Sequence, residues 1–175
     1  MEELVDIYDE VTGEKTGEVI TKREAHNKGI WHSAVHLFIV STDKKKTLLQ
    51  QRCEDKDLYA NYWDITLGGH ISAGEDSDTS VRRELEEELG LNPDDYKIKY
   101  LGKVKEELNN GGVNSKEFVF DYIIYADIDI NDITLQKEEV KDAKWVTKEE
   151  LNKLIKTNKI IPHHEEYKML NEILK

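Results

Sequence analysis

Three glutamates near the middle of the chain carry the clearest chemical signal in the sequence. Glu84, Glu87 and Glu88 are spaced by three and four residues, and a helix brings residues at that spacing onto one face. Carboxylates this close repel one another unless a cation lies among them. Their oxygens are also the ligands that hard divalent ions such as Mg²⁺ prefer. Two interpretations follow, an acidic helix face in solvent and a divalent-cation site.

The glycine-containing loop before these glutamates distinguishes the two interpretations. The segment fits the spacing G-x5-E-x7-R-E-U-x-E-E-x-G-U, where U is a bulky aliphatic residue, with Gly69, Glu75, Arg83, Glu84, Leu85, Glu87, Glu88, Gly90 and Leu91 at its defined positions. This segment, residues 68–91, resembles the Nudix box at every defined position. The resemblance favours the cation site.

The Nudix resemblance implies a fold and a set of site residues. The expected fold is α/β, a Nudix-type α/β/α sandwich with a mixed β-sheet and an N-terminal β-hairpin extension. Catalysis is expected to depend on Glu84, Glu87 and Glu88, which bind Mg²⁺ (Mn²⁺ is possible) together with the backbone carbonyl of Gly68. Arg83 and Glu75 match a pair that braces the loop against the helix, which suits an arginine because it is bidentate and always charged.

A second resemblance covers nearly the whole chain. The segments AHNKGIWHSAVHLFIV, LLQQR and WDITLGGHISAGE are similar to the branch of the superfamily that includes type 1 isopentenyl-diphosphate isomerase. In that isomerase three histidines and two carboxylates bind a metal, and the matching residues here are His26, His32, His70 and Glu117. Val119 stands at the second carboxylate position. Gly68 stands where the isomerase has its catalytic cysteine, and Cys53 is too distant in sequence to replace it.

Each of these side chains also has a simpler interpretation. His26 and His32 could cap or pair within the N-terminal segment, and Glu117 could be a solubilising charge on an edge strand. Glu139 lies in an acidic loop before AKWV, where it is either a further metal or substrate contact or a solvated charge. The remaining histidines are expected to be structural or exposed: His36 on a strand, and His163 and His164 at the surface.

The elements that must position these residues follow from local patterns. A single domain over residues 1–175 is expected, in which residues 1–30 form a hairpin and a short helix that Thr21 caps and Gly29 ends. Strands are predicted at 34–41 and 47–52, forming a second hairpin, and at 63–67, 97–108, 116–127 and 143–146. Helices are predicted from the end of the loop at 70–77 until Gly90, from Thr147 with a capping box, and from Pro162.

Composition limits the partners. A net charge of −12 and no stripe of basic residues argue against a nucleic-acid polymer as partner. The apolar runs are far shorter than the ~20 residues that span a bilayer, and one cysteine fits a reducing compartment, so a cytoplasmic protein without a membrane partner is expected. Both a monomer and a homodimer remain possible.

The leading functional hypothesis is a Nudix pyrophosphohydrolase, an enzyme acting on phosphorus-containing acid anhydrides. It would cleave a nucleoside diphosphate linked to another moiety, with a small-molecule diphosphate as its partner. Two alternatives stay open: an isopentenyl-diphosphate delta-isomerase, and a non-catalytic Nudix module that binds a phosphate ligand.

Overall fold

Nine strands and four helices form the protein in a computed structural model that describes residues 1–175. The strands are β1 (Leu4–Tyr8), β2 (Lys15–Thr21), β3 (His32–Val40), β4 (Lys46–Arg52), β5 (Trp63–Asp64), β6 (Leu67–His70), β7 (Lys99–Asn110), β8 (Val113–Tyr125) and β9 (Val140–Thr147). The helices are α1 (Lys22–Lys28), α2 (Ser77–Leu89), α3 (Lys148–Lys156) and α4 (His164–Ile173). No helix is long and apolar enough to cross a membrane.

The main sheet is mixed and is centred on β3. Its strand order is β5-β4-β3-β8-β7, with β6 paired to β3 and β9 paired to β4. β3 runs parallel to β8, whereas the other pairs are antiparallel. The β1–β2 hairpin forms a separate two-stranded sheet, which confirms the predicted N-terminal hairpin.

Helices cover both faces of the sheet. Side chains alternate between the two faces along a strand, and β3 has apolar side chains on each face that pack against helices. From β3, Val35, Leu37 and Ile39 pack against the apolar side of α2. Phe38 and Val40 face the opposite way, toward a core that includes Leu151 of α3 and the α4 residues Tyr167 and Leu170. The predicted α/β/α sandwich is confirmed.

Cap residues set the bounds of α2, of which the sequence predicted the end at Gly90. The Thr79 N–H donates to Asp76 Oδ1 at 2.7 Å, which satisfies one of the free donors at the helix start. At the other end Gly90 adopts a left-handed conformation with φ of 64°, and its N–H bonds back to the last turn. The acidic segment is therefore a helix of 13 residues with fixed ends.

The predicted hairpin of β3 and β4 forms, but its two strands pair only at Val40 and Thr47 and then diverge. Thr66 lies between them, accepting from the Ile39 N–H and donating to the Leu48 carbonyl. This insertion also divides the strand expected at 63–67 into β5 and β6. His70 consequently ends a strand rather than lying in a loop.

Candidate functional site

A cavity of about 380 Å³ collects most of the residues singled out in the sequence. Elements β3, β4, β5, β6, β7, β8 and α2 all contribute to its wall. The predicted site residues in the wall are His26, Gly68, His70, Arg83, Glu84, Glu87, Glu88, Glu117 and Glu139. Of the remaining predicted residues, His32 and Glu75 lie behind the wall and contact residues that line it.

The α2 carboxylates are held by one arginine and by a close approach of the backbone. Arg83 Nη1 donates to Glu84 Oε1 at 2.8 Å and to Glu87 Oε2 at 3.1 Å. Glu84 is 9% exposed and lies directly against β6. A Cβ atom on Gly69 would lie 2.4 Å from the carboxylate carbon of Glu84, so any other residue at this position would require the Glu84 carboxylate to move.

Glu88 is the most deeply buried carboxylate of α2, with 6% of its surface exposed. Its hydrogen-bond partner is the Gln50 amide at 3.3 Å. Burial, followed by the nearby charge of Glu84, raises the pKa of Glu88 to about 8. Lys56 lies close enough to offset part of this effect, but its ammonium is paired with Glu139. The acidic cluster therefore lacks enough positive charge to ionise fully.

Glu75 and Arg83 form a two-point ion pair that joins the box loop to the helix. Arg83 Nε donates to Glu75 Oε1 at 3.1 Å, and Nη2 donates to Oε2 at 2.9 Å. The Ser80 hydroxyl donates to the same carboxylate at 2.6 Å. Hydrogen bonds from Arg83 outweigh partial burial and lower the pKa of Glu75, so the pair stays ionised. This contact fixes the guanidinium that orients Glu84 and Glu87.

Three histidines and Glu117 meet on the other side of β6. One nitrogen of each imidazole of His26, His32 and His70 and a carboxylate oxygen of Glu117 all lie within 4.8 Å of one another. His70 Nε2 donates to Glu117 Oε1 at 3.0 Å, and His32 Nε2 is 3.4 Å from the same oxygen. His32 donates through Nδ1 to the Ile30 carbonyl at 2.9 Å. This leaves Nε2 of His32 buried without a hydrogen-bond partner.

The electrostatics of His26 and Glu117 suit metal ligation, whereas burial of His32 is outweighed by the nearby Glu117 carboxylate, which raises the pKa of that imidazole. Burial, reinforced by His70 and His32, lowers the pKa of His26 to about 4, so its imidazole is neutral at pH 7. Burial opposes ionisation of Glu117, yet the close approach of His32, the hydrogen bond from His70 and the charges of both imidazoles hold its pKa well below the usual range. A neutral imidazole and an ionised carboxylate are the forms that bind a divalent ion. The unpartnered His32 nitrogen gives a fourth ligand.

Sequence reasoning missed the basic residues of the cavity. Lys22, Arg52 and Lys56 line it together with Arg83, and they come from α1, β4 and the loop after β4. Arg52 Nη1 is 3.6 Å from Asp64 Oδ2, and Arg52 Nε donates to the Leu58 carbonyl at 2.9 Å. The one available signal was Arg52, the charge that ends the strand predicted at 47–52.

A buried network of ionised groups forms another part of the wall, and it corrects the prediction that His163 is exposed. His163 is only 3% exposed, and both of its ring nitrogens contact carboxylates. Nε2 donates to Asp64 at 2.9 Å and Nδ1 donates to Glu106 at 2.7 Å. Burial disfavours the imidazolium, but the charges of Glu106 and Asp64 outweigh it and raise the pKa of His163 well above its usual value. His164 is exposed, as predicted.

Val119 and Gly68, the two residues expected to differ from the isomerase, have an apolar side chain and no side chain, respectively. Val119 is fully buried between Glu117 and Asp121 on the same face of β8. Gly68 of β6 is paired in register with His36 of β3, and the His36 ring lies next to it. Cys53 lies outside the cavity wall and contacts the Glu138 carbonyl.

Comparison with known proteins identifies a common family. The model of the NUDIX domain matches residues 30–167. A Nudix hydrolase of Clostridium acetobutylicum described as uncharacterized is 37% identical over 164 residues, which are 91% of this chain and 76% of that protein. An isopentenyl-diphosphate Delta-isomerase of Aliivibrio fischeri is 32% identical over 78% of this chain and 77% of that protein.

Two further matches extend the comparison. Nudix hydrolase 3 of Arabidopsis thaliana is 42% identical over 79% of this chain, but the match spans only 18% of that protein's length. A crystal structure of a Deinococcus radiodurans protein has a TM-score of 0.76, with 19% sequence identity over 99% of this chain and all of that chain. At this identity the structural likeness concerns the fold alone.

Proposed function

The chain belongs to the NUDIX domain family, and we propose that it is a divalent-metal-dependent hydrolase of a pyrophosphate bond. Its substrate would be a nucleoside diphosphate linked to another moiety. The observation that carries this proposal is the meeting of opposite charges in one cavity, where Glu84, Glu87 and Glu88 face a wall that also holds four basic side chains. Carboxylates that bind cations and cations that bind phosphates are the two requirements of a diphosphate site.

The α2 carboxylates are the proposed metal ligands and catalytic residues. The donor set fits Mg²⁺ or Mn²⁺, because it consists of oxygens. Burial raises the pKa values of Glu84 and Glu88, and a bound cation would favour their ionised forms. A bound ion would neutralise the phosphates and lower the pKa of the attacking water. Glu84, Glu87 and Glu88 would hold the ion, with the Gly68 carbonyl as a further ligand. The Glu75–Arg83 pair would fix the direction of Glu84 and Glu87.

The basic side chains would hold the diphosphate. Lys22, Arg52 and Lys56 come from three different segments, so together they can contact a linear diphosphate along its length. Lys56 is also paired with Glu139, and its positive charge lies near Glu88. We assign Glu139 to this pair, where it positions the lysine at the cavity, rather than to the metal.

The cluster of His26, His32, His70 and Glu117 is the second proposed metal position. It has one carboxylate and three imidazoles, a set that suits a borderline ion such as Zn²⁺ better than Mg²⁺. The buried, unpartnered Nε2 of His32 supports this assignment, because an orphaned nitrogen in the interior costs free energy unless a ligand satisfies it. The position of this cluster beside Gly68 would bring such an ion near the same diphosphate.

A panel of nucleoside diphosphate derivatives tests the hydrolase proposal. Wild type is incubated with each compound and Mg²⁺, and phosphate groups are released by a coupled phosphatase for detection. We expect Glu87→Gln to lower kcat by about 10²–10³, the typical loss when one charge-stabilising group is removed. Glu86→Gln is the matched control, because Glu86 is the exposed neighbour on α2 and does not line the cavity. Equal activity of Glu87→Gln and wild type would refute the assignment.

Isomerisation of isopentenyl diphosphate is the second candidate, and the histidine cluster with Glu117 favours it. Against it stand Gly68 and Val119, which provide no acid or base at the two positions where the isomerase has a cysteine and a carboxylate. ¹H NMR of isopentenyl diphosphate incubated with the protein decides between them. We expect no allylic product. Tight binding of a diphosphate without turnover of any compound would instead indicate a ligand-binding module.

A further inference from the structure

His36 and Glu106 line the cavity, yet the proposed hydrolysis uses neither. Both point to the side of the sheet that carries Glu117. His36 lies four residues after His32 on β3, and Glu106 of β7 is paired in register with Glu117 of β8. Like charges directly opposite each other on neighbouring strands are destabilising. His163 compensates Glu106 from one side and His70 donates to Glu117, and a cation between the two glutamates would reduce their repulsion further.

The hydrogen bonds of His36 leave one ring nitrogen available. Nδ1 contacts Glu166 Oε1 at 3.0 Å, and the side chain makes no other hydrogen bond. Nε2 lies on the side of the ring that faces Gly68, where a Cβ atom would be 3.6 Å away. His36 is only 5% exposed and lines the cavity, so this nitrogen is available to a ligand inside the cavity. Metal-binding histidines commonly have this arrangement, with one nitrogen held by a carboxylate and the other free for the ion.

Glu106 provides an oxygen in the same condition. Its Oε2 accepts from His163 Nδ1 at 2.7 Å, whereas its Oε1 is buried and has no partner. His163 is held in turn by Asp64. The buried network thus orients Glu106 from behind and leaves one acceptor unsatisfied, which is costly in the interior.

We propose that His36, Glu106 and Glu117 form a further divalent-cation site. One ligand atom of each lies within 4.8 Å of the others. Two ligands at about 2.0–2.3 Å from one ion are separated by at most about 4.6 Å, so small side-chain movements complete the site. An imidazole with two carboxylates suits Mn²⁺ or Zn²⁺. Glu117 would bridge this ion and the ion of the three-histidine cluster, and the proposal rests on the proposed function only through that shared residue.

The site also accounts for the side chains around it. Glu166 and His163 have no contact with the α2 carboxylates among their hydrogen bonds. Glu166 instead holds His36, and His163 holds Glu106, and both of these are ligands of the proposed ion. Gly68 leaves room next to His36, because a Cβ atom there would come within 3.3 Å of the ring. A site assembled from three strands, with a second layer of charged residues behind it, is a typical construction for a bound metal.

Anomalous scattering from Mn²⁺ tests the site directly. Crystals of chelator-treated protein are soaked in MnCl₂ at about pH 8, where protons compete less for imidazole. In a separate experiment, calorimetry in solution counts the Mn²⁺ ions that each protein molecule binds. We expect one anomalous peak among His36, Glu106 and Glu117 in wild type. His36→Gln and Glu106→Gln should each lose this peak and about one equivalent of Mn²⁺. Glu107→Gln is the matched control, because its side chain is the exposed neighbour of Glu106.

The outcomes separate this site from the proposed function. Absence of the peak in wild type, or its persistence in both variants, overturns the site. A peak at the three-histidine cluster alone does the same and leaves the proposed hydrolysis intact. Both peaks without hydrolysis of any diphosphate support the site and refute the function. If His36→Gln does not fold, as judged by circular dichroism, Glu106→Gln decides, since it changes one atom and keeps the side-chain shape.

Discussion

Replacement of Gly69 by alanine should disable the site without changing any ionisable residue. An alanine Cβ would lie 2.4 Å from Cδ, 2.6 Å from Oε1 and 2.7 Å from Cγ of Glu84. Carbon atoms attract at about 3.5–4.0 Å and repel strongly at such short distances. Glu84 must therefore leave its position and lose the 2.8 Å bond from Arg83. The backbone of β6 need not change, because Gly69 does not have a positive φ.

The expected loss follows from the function of the displaced carboxylate. If Glu84 is one of the metal ligands, its displacement should lower kcat by about 10²–10³, or about 2.7–4 kcal/mol of transition-state stabilisation. The assay is hydrolysis of the best diphosphate of the panel at saturating Mg²⁺. Circular dichroism and the unfolding midpoint verify that the sheet is intact.

A double-mutant comparison identifies the cause of the loss. When Gly69→Ala acts only by moving Glu84, it should add almost nothing in a Glu84→Gln background, because the carboxylate is already gone. Additive losses in the double variant would mean that alanine damages something else. Full activity of Gly69→Ala would refute the assignment of Glu84.

Three further predictions follow from the ion pairs and pKa values. Arg83→Lys should lower the free energy of unfolding by about 1–2 kcal/mol in urea titrations, since lysine cannot make the two-point contact with Glu75. Arg82→Lys is the control: it alters an exposed ion pair and should change the free energy of unfolding by less than about 0.5 kcal/mol. Because the pKa of Glu88 is about 8, about nine-tenths of this group is protonated at pH 7, and Mg²⁺ binding should release about one proton. Calorimetry in buffers of different ionisation enthalpy measures this release. The same proton release in Glu88→Gln would contradict the prediction. The raised pKa of His163 means that its stabilisation is fully present below about pH 6.5 and is lost as pH rises through the folded-state pKa. Wild type should therefore exceed His163→Gln in unfolding free energy by more at about pH 6 than at about pH 9, and an equal difference would refute the buried imidazolium.

Local signals in the sequence were sufficient for the carboxylate side of the site. Asp76 and Gly90 fix the ends of α2 through hydrogen bonds that depend on neighbouring residues alone. The spacing of Glu84, Glu87 and Glu88 then determines which face they share. The histidine cluster was found in a different way, through resemblance, because His26, His32, His70 and Glu117 lie on four separate elements.

The buried network could not be predicted, since it depends on long-range register. His163 contacts Asp64 and Glu106, which are 99 and 57 residues away in the chain. The position of Glu106 opposite Glu117 depends on a β-bulge between Tyr100 and Gly102 that shifts β7 against β8. Two consecutive histidines before a helix carry no local sign of this burial. Similarly, nothing in residues 34–52 indicated that Thr66 would separate β3 from β4.

Oxygen transfer from water to phosphorus tests the central proposal most directly. The preferred diphosphate of the panel is incubated with Mg²⁺ in ¹⁸O-labelled water and followed by ³¹P NMR, in which a bound ¹⁸O shifts the phosphorus resonance. We predict that wild type produces two phosphate-bearing products, one of which carries the label, and that Glu87→Gln produces neither at a comparable rate. Products without label, or label incorporated equally by Glu87→Gln, would contradict hydrolysis by the α2 carboxylates.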